Sequence, residues 1–396
     1  MTDMFAATPL APADPILGIT EQFNADPNPA KVNLGVGVYQ DASGKVPVLE
    51  CVRTAEQRMA ADIKPRGYLP IDGLPAYTAL TKALVLGGNE ELMGRAVTVE
   101  ALGGTGALRI GAEFLKYADG VPRRVLISDP SWENHKTLFE RTGFEAAQYR
   151  YYTPDGPDVD GMLDDLRAAA PGTTVVLHAC CHNPTGEDLA PDQWPRVVDV
   201  VAERGLIPLL DMAYQGFSQG IAQDRAVIDA FAARGMPVLV ANSFSKTFSL
   251  YGERVGSLTV IAANDDEAKR ILSQLKLCVR TLYSNPPTHG AQVVATVLGD
   301  AELRAVWETE LTGMRLRIKE MRAALASGLA AAGVAGDVSF VERQVGMFSY
   351  TGLSAGQMRE LRDRHHVYGT DAGRICVGAL NAGNLGQVCA ALAAVA

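Results

Sequence analysis

The 396-residue sequence has few cysteines, a deficit of basic residues and no long apolar run. Each shortage excludes something. Six cysteines, none in a C-x-x-C pair, are too sparse for a disulfide scaffold or a cysteine-rich zinc module. Cys180 and Cys181 are adjacent and cannot form an ordinary structural disulfide with each other. That usage fits a reducing cytoplasm. No uninterrupted apolar stretch reaches the ~20 residues that cross a bilayer. The N-terminal segment MTDMFAATPLAPADPILGIT carries early Asp and Pro but no basic start, so it does not read as an export signal. Lys and Arg number 36 against 45 Asp and Glu, a formal net charge of −9. An acidic surface is a poor match for a nucleic-acid backbone or an anionic membrane. There is no internal repeat and no low-complexity tract. What is present, 47% apolar and 20% charged residues, is the make-up of an ordinary globular chain. Its length suits about two to three domains.

The recurring pattern is a short β-rich run, a turn or cap signal, then an amphipathic stretch. The runs fall at 96–102, 124–129, 174–180, 205–211, 237–243 and 256–262, with helical segments at 105–117, 133–142, 160–169, 191–204 and 224–233. Apolar runs without polar alternation suit strands buried on both faces, and intervening helices suit parallel connections. The fold class is therefore α/β with a mostly parallel sheet. From about residue 301 the pattern changes to a long helix reaching 332. Short strands are then expected near 338–341, 346–351 and 374–378, with helices at 354–365 and 383–394. Residues 1–43 are Pro-rich and read as extended. The resulting map is a large domain at 44–310 and a smaller α+β domain built from 1–43, with an N-terminal arm, and 311–396.

In a parallel sheet, chemistry gathers where strands end. Reading those ends in order gives Gly103-Gly104-Thr105, Asp129-Pro-Ser-Trp132, His182-Asn183-Pro-Thr-Gly186, Asp211-Met-Ala-Tyr214 and Ser243-Phe-Ser-Lys246, with Arg254 eight residues on. Lys246 at a strand end can be desolvated, which frees an amine for Schiff-base chemistry; a solvated surface lysine is the other reading. Gly103, Gly104 and Thr105 open a helix whose N-terminal N–H groups suit a phosphate. Ser243, Ser245 and Arg254 would complete a dianion site, unless Arg254 pairs with Glu253 or another carboxylate. Asp211 is expected to be buried and to need a partner, which a protonated pyridine nitrogen would be; a helix cap is its alternative role. Tyr214 would reach a ring oxygen, His135 would hold Asp211, and Trp132 would stack on a flat cofactor or belong to the core. His178, Cys180 and His182 share one face of an extended strand, which spreads them over ~13 Å, too far for one tetrahedral ion. No metal is expected. Arg280 and Arg374 stand apart from the phosphate set, and forked donors suit carboxylates.

HNPTG at 182–186, DMAYQGF, SFSKTFSLYGERVG, YSNPPTHG and GRICVGALN, together with VNLGVGVYQDASGKVPVL at 32–49, resemble the aspartate and aromatic aminotransferase family. These are class I pyridoxal-phosphate enzymes, and the resemblance runs through nearly the whole chain. It implies a fold-type I transferase and pyridoxal 5'-phosphate as cofactor. It implies that Lys246 carries the cofactor as a Schiff base and then shuttles the substrate α-proton. Asp211 would pair with the pyridine nitrogen, Tyr214 and Asn183 with the ring oxygen, and Trp132 would stack on the ring. Gly103, Gly104, Thr105, Ser243, Ser245 and Arg254 would form the phosphate cradle, joined by Tyr68 from a partner subunit. Arg374 would bind the substrate α-carboxylate, with Asn183, Trp132 and Gly37 nearby, and Arg280 of the partner a distal carboxylate. The implied protein is a cytoplasmic homodimer with shared active sites, acting on amino acids and 2-oxo acids by a ping-pong route. Val38 and the Thr281-Leu282 pair make the substrate entrance more apolar than a dicarboxylate specialist needs, so aromatic substrates are expected beside aspartate and glutamate, with 2-oxoglutarate as acceptor. Two rivals use the same letters. SFSK also fits the S-x-x-K element of serine hydrolases, with Ser243 as nucleophile, but no K-T-G triplet follows. A non-catalytic module of the same fold would be expected to have lost Lys246, Asp211 or Arg374. A β-lyase or decarboxylase side activity would use the same residues.

Overall fold

The structure, a computed structural model, describes residues 5–11, 16–334 and 336–396. Seven strands form the main sheet: β1 (Ala96–Leu102), β2 (Arg124–Asp129), β3 (Glu145–Arg150), β4 (Thr174–His178), β5 (Ile207–Met212), β6 (Val238–Ser243) and β7 (Val255–Ile261). Their order is β1-β7-β6-β5-β4-β2-β3, and only β7 runs antiparallel to its neighbours.

Both faces of this sheet are buried, as its unbroken apolar runs require. Side chains alternate along a strand, and the cores divide accordingly. Val175, Leu177, Leu210 and Val240 pack with the helices Val159–Ala168, Trp194–Glu203 and Ala226–Ala233 on one face. Val176, Leu209, Leu239 and Leu258 pack with Gly103–Tyr117, Glu133–Thr142 and Asp265–Leu282 on the other. Each fully buried Val or Leu contributes roughly 1.5–3 kcal/mol.

A third core lies beside the sheet and is crossed by the helix Ala301–Ala331. Asp300 caps it by accepting from the backbone N–H of Glu302 and Leu303 at 3.0 Å. Its buried stripe, Leu303, Trp307, Leu311, Met314, Ile318, Leu325 and Leu329, recurs at helical spacing. The two chain ends meet here: Val32–Asn33 pairs in parallel with Val367–Tyr368, and Phe348–Tyr350 pairs with Arg374–Cys376. Among the described residues no helix is long and apolar enough to cross a membrane.

Three local expectations are corrected. The early segment is not extended throughout, because Leu17–Ala25 is a helix; the prolines bracket that stretch and leave 16–26 free of them. Residues 1–4 and 12–15, part of the same expectation, lie outside the described residues. The apolar letters at 338–341 belong to a one-turn helix, Phe340–Arg343, because Asp337 takes the Ser339 N–H at 2.7 Å and starts a turn. Strand β4 stops at His178, since Asp188 captures the N–H groups of Cys181 and His182 at 2.8 Å each and Cys181 turns to φ 52°. The His178 and His182 rings therefore lie 4.3 Å apart, not at strand spacing.

At Gly256 of β7 an added Cβ would meet the Gly103 carbonyl carbon at 2.5 Å and the Asn242 oxygen at 2.7 Å, both backbone. Gly256→Ala should lower the thermal midpoint by an amount equivalent to about 1–3 kcal/mol. Gly94→Ala, with nothing within 4 Å, should not. Differential scanning at one fixed protein concentration compares the two.

Candidate active site

The sheet delivers the site at one edge. Strands β1, β2, β4, β5 and β6 end there, so Gly104, Trp132, Asn183, Asp211 and Lys246 arrive from five connections to a cavity of about 320 Å³. That volume is at the small end of ordinary ligand pockets. Antiparallel β7 begins where its neighbours end, with Val255 opposite Leu102 and Gly256 opposite Ser243. The residue before it, Arg254, is thereby brought to the same edge.

Asp211 sits on the floor, 6% exposed. Its Oδ2 lies 2.9 Å from Nε2 of His135, whose Nδ1 lies 2.9 Å from the Ser131 hydroxyl. An ionised carboxylate only accepts, so Nε2–H donates to it and, in a neutral ring, Nδ1 accepts from Ser131. Burial alone would raise the Asp211 pKa, but the His135 hydrogen bond, helped by the nearby Lys246, outweighs it and holds it below the ordinary value. The carboxylate remains charged and has a second oxygen available.

Lys246 projects its amine 4.9 Å from the centre of the Tyr214 ring. Burial, helped by the nearby Arg254 and Arg374 charges and opposed by Asp211, pulls its pKa down to about 8. Roughly a tenth of the amine is then unprotonated at pH 7, far more than for an ordinary lysine. Burial drives the His178 pKa down to about 3, so this ring is neutral, and both of its nitrogens are without a protein partner. Among the described residues His135, His178 and Asp211 bring metal-capable atoms within 4.8 Å of one another, a different set from His178, Cys180 and His182.

The opposite end of the cavity is built for an anion. Gly103 takes φ 68°, and a Cβ there would meet the Arg254 guanidinium at 2.5 Å, while one on Gly104 would crowd Ser243 Cβ at 3.2 Å. The N-terminus of the helix Gly103–Tyr117, the buried Ser243 and Ser245 hydroxyls 3.2 Å apart, and Arg254, which donates to Ser245 Oγ at 3.3 Å, converge on this space. Glu253 is turned away toward His289 at 2.9 Å, so it does not consume the Arg254 charge.

Arg374 forms the third part. It is 1% exposed, donates to Asn183 Oδ1 at 2.9 Å and to the Gly35 carbonyl at 2.7 Å, and lies 4.2 Å over the Phe348 ring. Its buried Nε has no protein partner.

Thus Gly37, Gly104, Thr105, Trp132, Asn183, Asp211, Tyr214, Ser243, Ser245, Lys246, Arg254 and Arg374 line one cavity, with Gly103 directly behind Arg254. Two expected residues do not reach it in this chain. The Tyr68 side chain is 97% exposed, and Arg280 is exposed at the end of the helix Asp265–Leu282, donating to Ser284 Oγ. Sequence reasoning missed Tyr251, whose hydroxyl accepts the Tyr39 N–H at 2.8 Å, and the apolar rim of Ile16, Val36 and Phe348. Tyr251 lies in the SLYGERVG motif between Lys246 and Arg254, a signal available but not used.

The profile of class I and II aminotransferases matches residues 29–392. An aspartate aminotransferase of Pseudomonas aeruginosa is 52% identical over 98% of both chains. An aromatic-amino-acid aminotransferase of Escherichia coli is 44% identical over 99% of this chain and 100% of that protein. The crystal structure of an aromatic-amino-acid aminotransferase from Burkholderia pseudomallei, covalently bound to pyridoxal phosphate, superposes with a TM-score of 0.96 at 55% identity over 99% of each chain. With its fold, its cavity and these similarities in hand, the chain belongs to the class I and II aminotransferase family and is a transaminase.

Proposed function

We propose that the protein transfers the amino group between L-aspartate, L-glutamate or aromatic amino acids and 2-oxo acids such as 2-oxoglutarate, with pyridoxal 5'-phosphate as cofactor. The observation that carries this reading is the convergence of a charged, buried Asp211, a desolvated Lys246 amine and a glycine-lined anion cradle on one cavity. When bound, pyridoxal phosphate supplies the carbonyl that takes up the amine and a cationic ring that accepts the electrons left by a departing α-proton.

The residues divide the rest of the work. Gly103, Gly104, Thr105, Ser243, Ser245 and Arg254 hold the phosphate. Asp211 keeps a proton on the ring nitrogen, Tyr214 and Asn183 hydrogen-bond the ring oxygen, and Trp132 covers the ring face. Arg374 takes the α-carboxylate with Nη and Nε donors, its direction fixed by Asn183 and the Gly35 carbonyl. Gly37 and Trp132 border the same subsite. Lys246 Nζ removes the α-proton and returns it to the cofactor side, which its lowered pKa permits near neutral pH. Release of one 2-oxo acid before the next binds makes the kinetics ping-pong.

Tyr68 and Arg280 enter this scheme from a second copy of the chain, closing the phosphate cradle and binding a distal carboxylate. The exposure of Val46, Val48, Ile63 and Tyr68 along one stretch supports a covered homodimer face. The large unit at 44–310 holds the cofactor, and the smaller unit of 1–43 and 311–396 contributes Arg374. Six free, buried cysteines suit the cytoplasm.

Addition of L-aspartate, then of L-phenylalanine in a separate sample, to the holoenzyme should shift the visible band to that of the pyridoxamine form in both cases; a band unmoved by either amino acid contradicts the reading. Arg280→Leu should lower kcat/KM for aspartate about 100-fold and leave phenylalanine within about fivefold, the cost of an unpaired distal carboxylate. Equal losses would contradict the assigned role. Subunit sharing is checked by co-expressing Lys246→Ala with Arg280→Leu. Half the dimers would be mixed with one intact site each, so aspartate activity should return to about a quarter of wild type; no recovery means the sites are not shared.

A further inference from the structure

The turn that presents Arg254 is held from behind by a histidine outside the cavity. His289 opens the helix His289–Gly299, with its Nδ1 2.9 Å from Glu253 Oε2 and its Nε2 3.2 Å from Glu56 Oε2 on the helix Glu50–Ala61. The next residue is Gly290, where a Cβ would meet Val255 at 2.1 Å and Glu253 at 3.0 Å, so only glycine lets the helix start this close to the turn. Glu253 and Val255 flank Arg254 on both sides. Arg254 itself stands at φ 56°, a conformation that a non-glycine residue keeps only when its surroundings hold it. Within the chain its guanidinium is hydrogen-bonded to Ser245 Oγ at 3.3 Å and the Tyr251 carbonyl at 3.0 Å. On one side the turn is anchored by Val255, which pairs with Leu102 in the sheet; on the other, the His289 contacts and the Gly290 approach tie Glu253 to the neighbouring helices.

We infer that His289 is a positioning residue for the cofactor phosphate, cross-linking Glu253 and Glu56 so that Arg254 stays aimed at the anion cradle. This rests on the phosphate role proposed for Arg254. The charged groups facing His289 are Glu253 from the turn and Glu56 from the helix Glu50–Ala61; its own helix carries no other charged residue. The Glu253 hydrogen bond and both carboxylate charges outweigh partial burial and raise the His289 pKa above the ordinary imidazole value. A raised value means the doubly paired, charged form is complete at low pH and is lost as pH climbs through that raised pKa. The pair is more than a third exposed, which limits its strength.

The test compares pyridoxal phosphate with pyridoxal, which lacks the phosphate, binding to the full chain stripped of cofactor and followed by absorbance. His289→Ala should weaken pyridoxal phosphate about fivefold and leave pyridoxal unchanged. Glu253→Gln, which keeps an acceptor but removes the charge, should move the ratio in the same direction and serves if the alanine variant does not fold. The wild-type preference for the phosphorylated form should exceed that of His289→Ala at low pH and converge with it as pH rises. Equal weakening of both ligands, or a preference identical to wild type, overturns the clamp. Arg254→Met separates the two layers: loss of the phosphate preference there with none at His289 sinks the clamp alone. A full preference retained without Arg254 sinks the phosphate reading and the clamp together.

Discussion

A carboxylate taken out of water must be paired, and the rest of this site depends on how Asp211 meets that demand. It is charged at the end of a central strand because His135 donates to one oxygen and is itself braced by Ser131. That arrangement leaves a buried His–Asp pair whose Asp211 lines the cavity, and in the proposed scheme a cationic ring nitrogen would complete it. Lys246 is the counterpart: burial makes its ammonium form costly, while Asp211 limits how far its pKa falls. Opposite charges at one sheet edge therefore set each other's protonation.

The fold turns that edge into a site by topology. Parallel strands deliver their C-terminal ends together, and the reversed strand β7 adds Arg254 from its start. The helix Ala301–Ala331 then ties the separate loops to one frame. Trp307 Nε1 donates to the Thr247 carbonyl beside Lys246 at 2.8 Å, and Arg315 donates to the Gly216 carbonyl, two residues after Tyr214, at 2.8 Å. Arg322 donates to the Gly346 carbonyl at 2.8 Å and also to that of Phe348, whose ring lies under Arg374. Three parts of the cavity thus take their spacing from one rigid element, which favours the preorganisation that transfer of a proton between fixed atoms requires.

What was legible in the sequence was whatever periodicity and strand ends encode. Runs such as VVL at 175–177 and VLVA at 238–241, apolar without interruption, announce strands buried on both faces, and residues that follow them line one cavity. Less legible were features set by single side chains acting across the chain. Asp188 ends β4 by taking two backbone N–H groups, and nothing in the apolar letters of HACCH reveals that. The helix Leu17–Ala25 was obscured by prolines that flank it rather than interrupt it. Tyr68 and Arg280 are a different case: their letters point to the site, but a single chain leaves both on the surface, and the roles proposed for them need a second copy.

The central claim is that the buried charge of Asp211, and not merely its bulk, makes the α-proton removable. The most direct measurement is the rate at which the holoenzyme exchanges the α-proton of L-aspartate with deuterated water, in wild type and in Asp211→Asn. An amide keeps the size and the His135 contact but lacks the charge that holds a proton on the ring nitrogen. The account predicts a fall of about 10²–10³ or more, with the protein still folded and still binding pyridoxal phosphate. Exchange within about twofold of wild type, below ~0.5 kcal/mol in barrier, would contradict it.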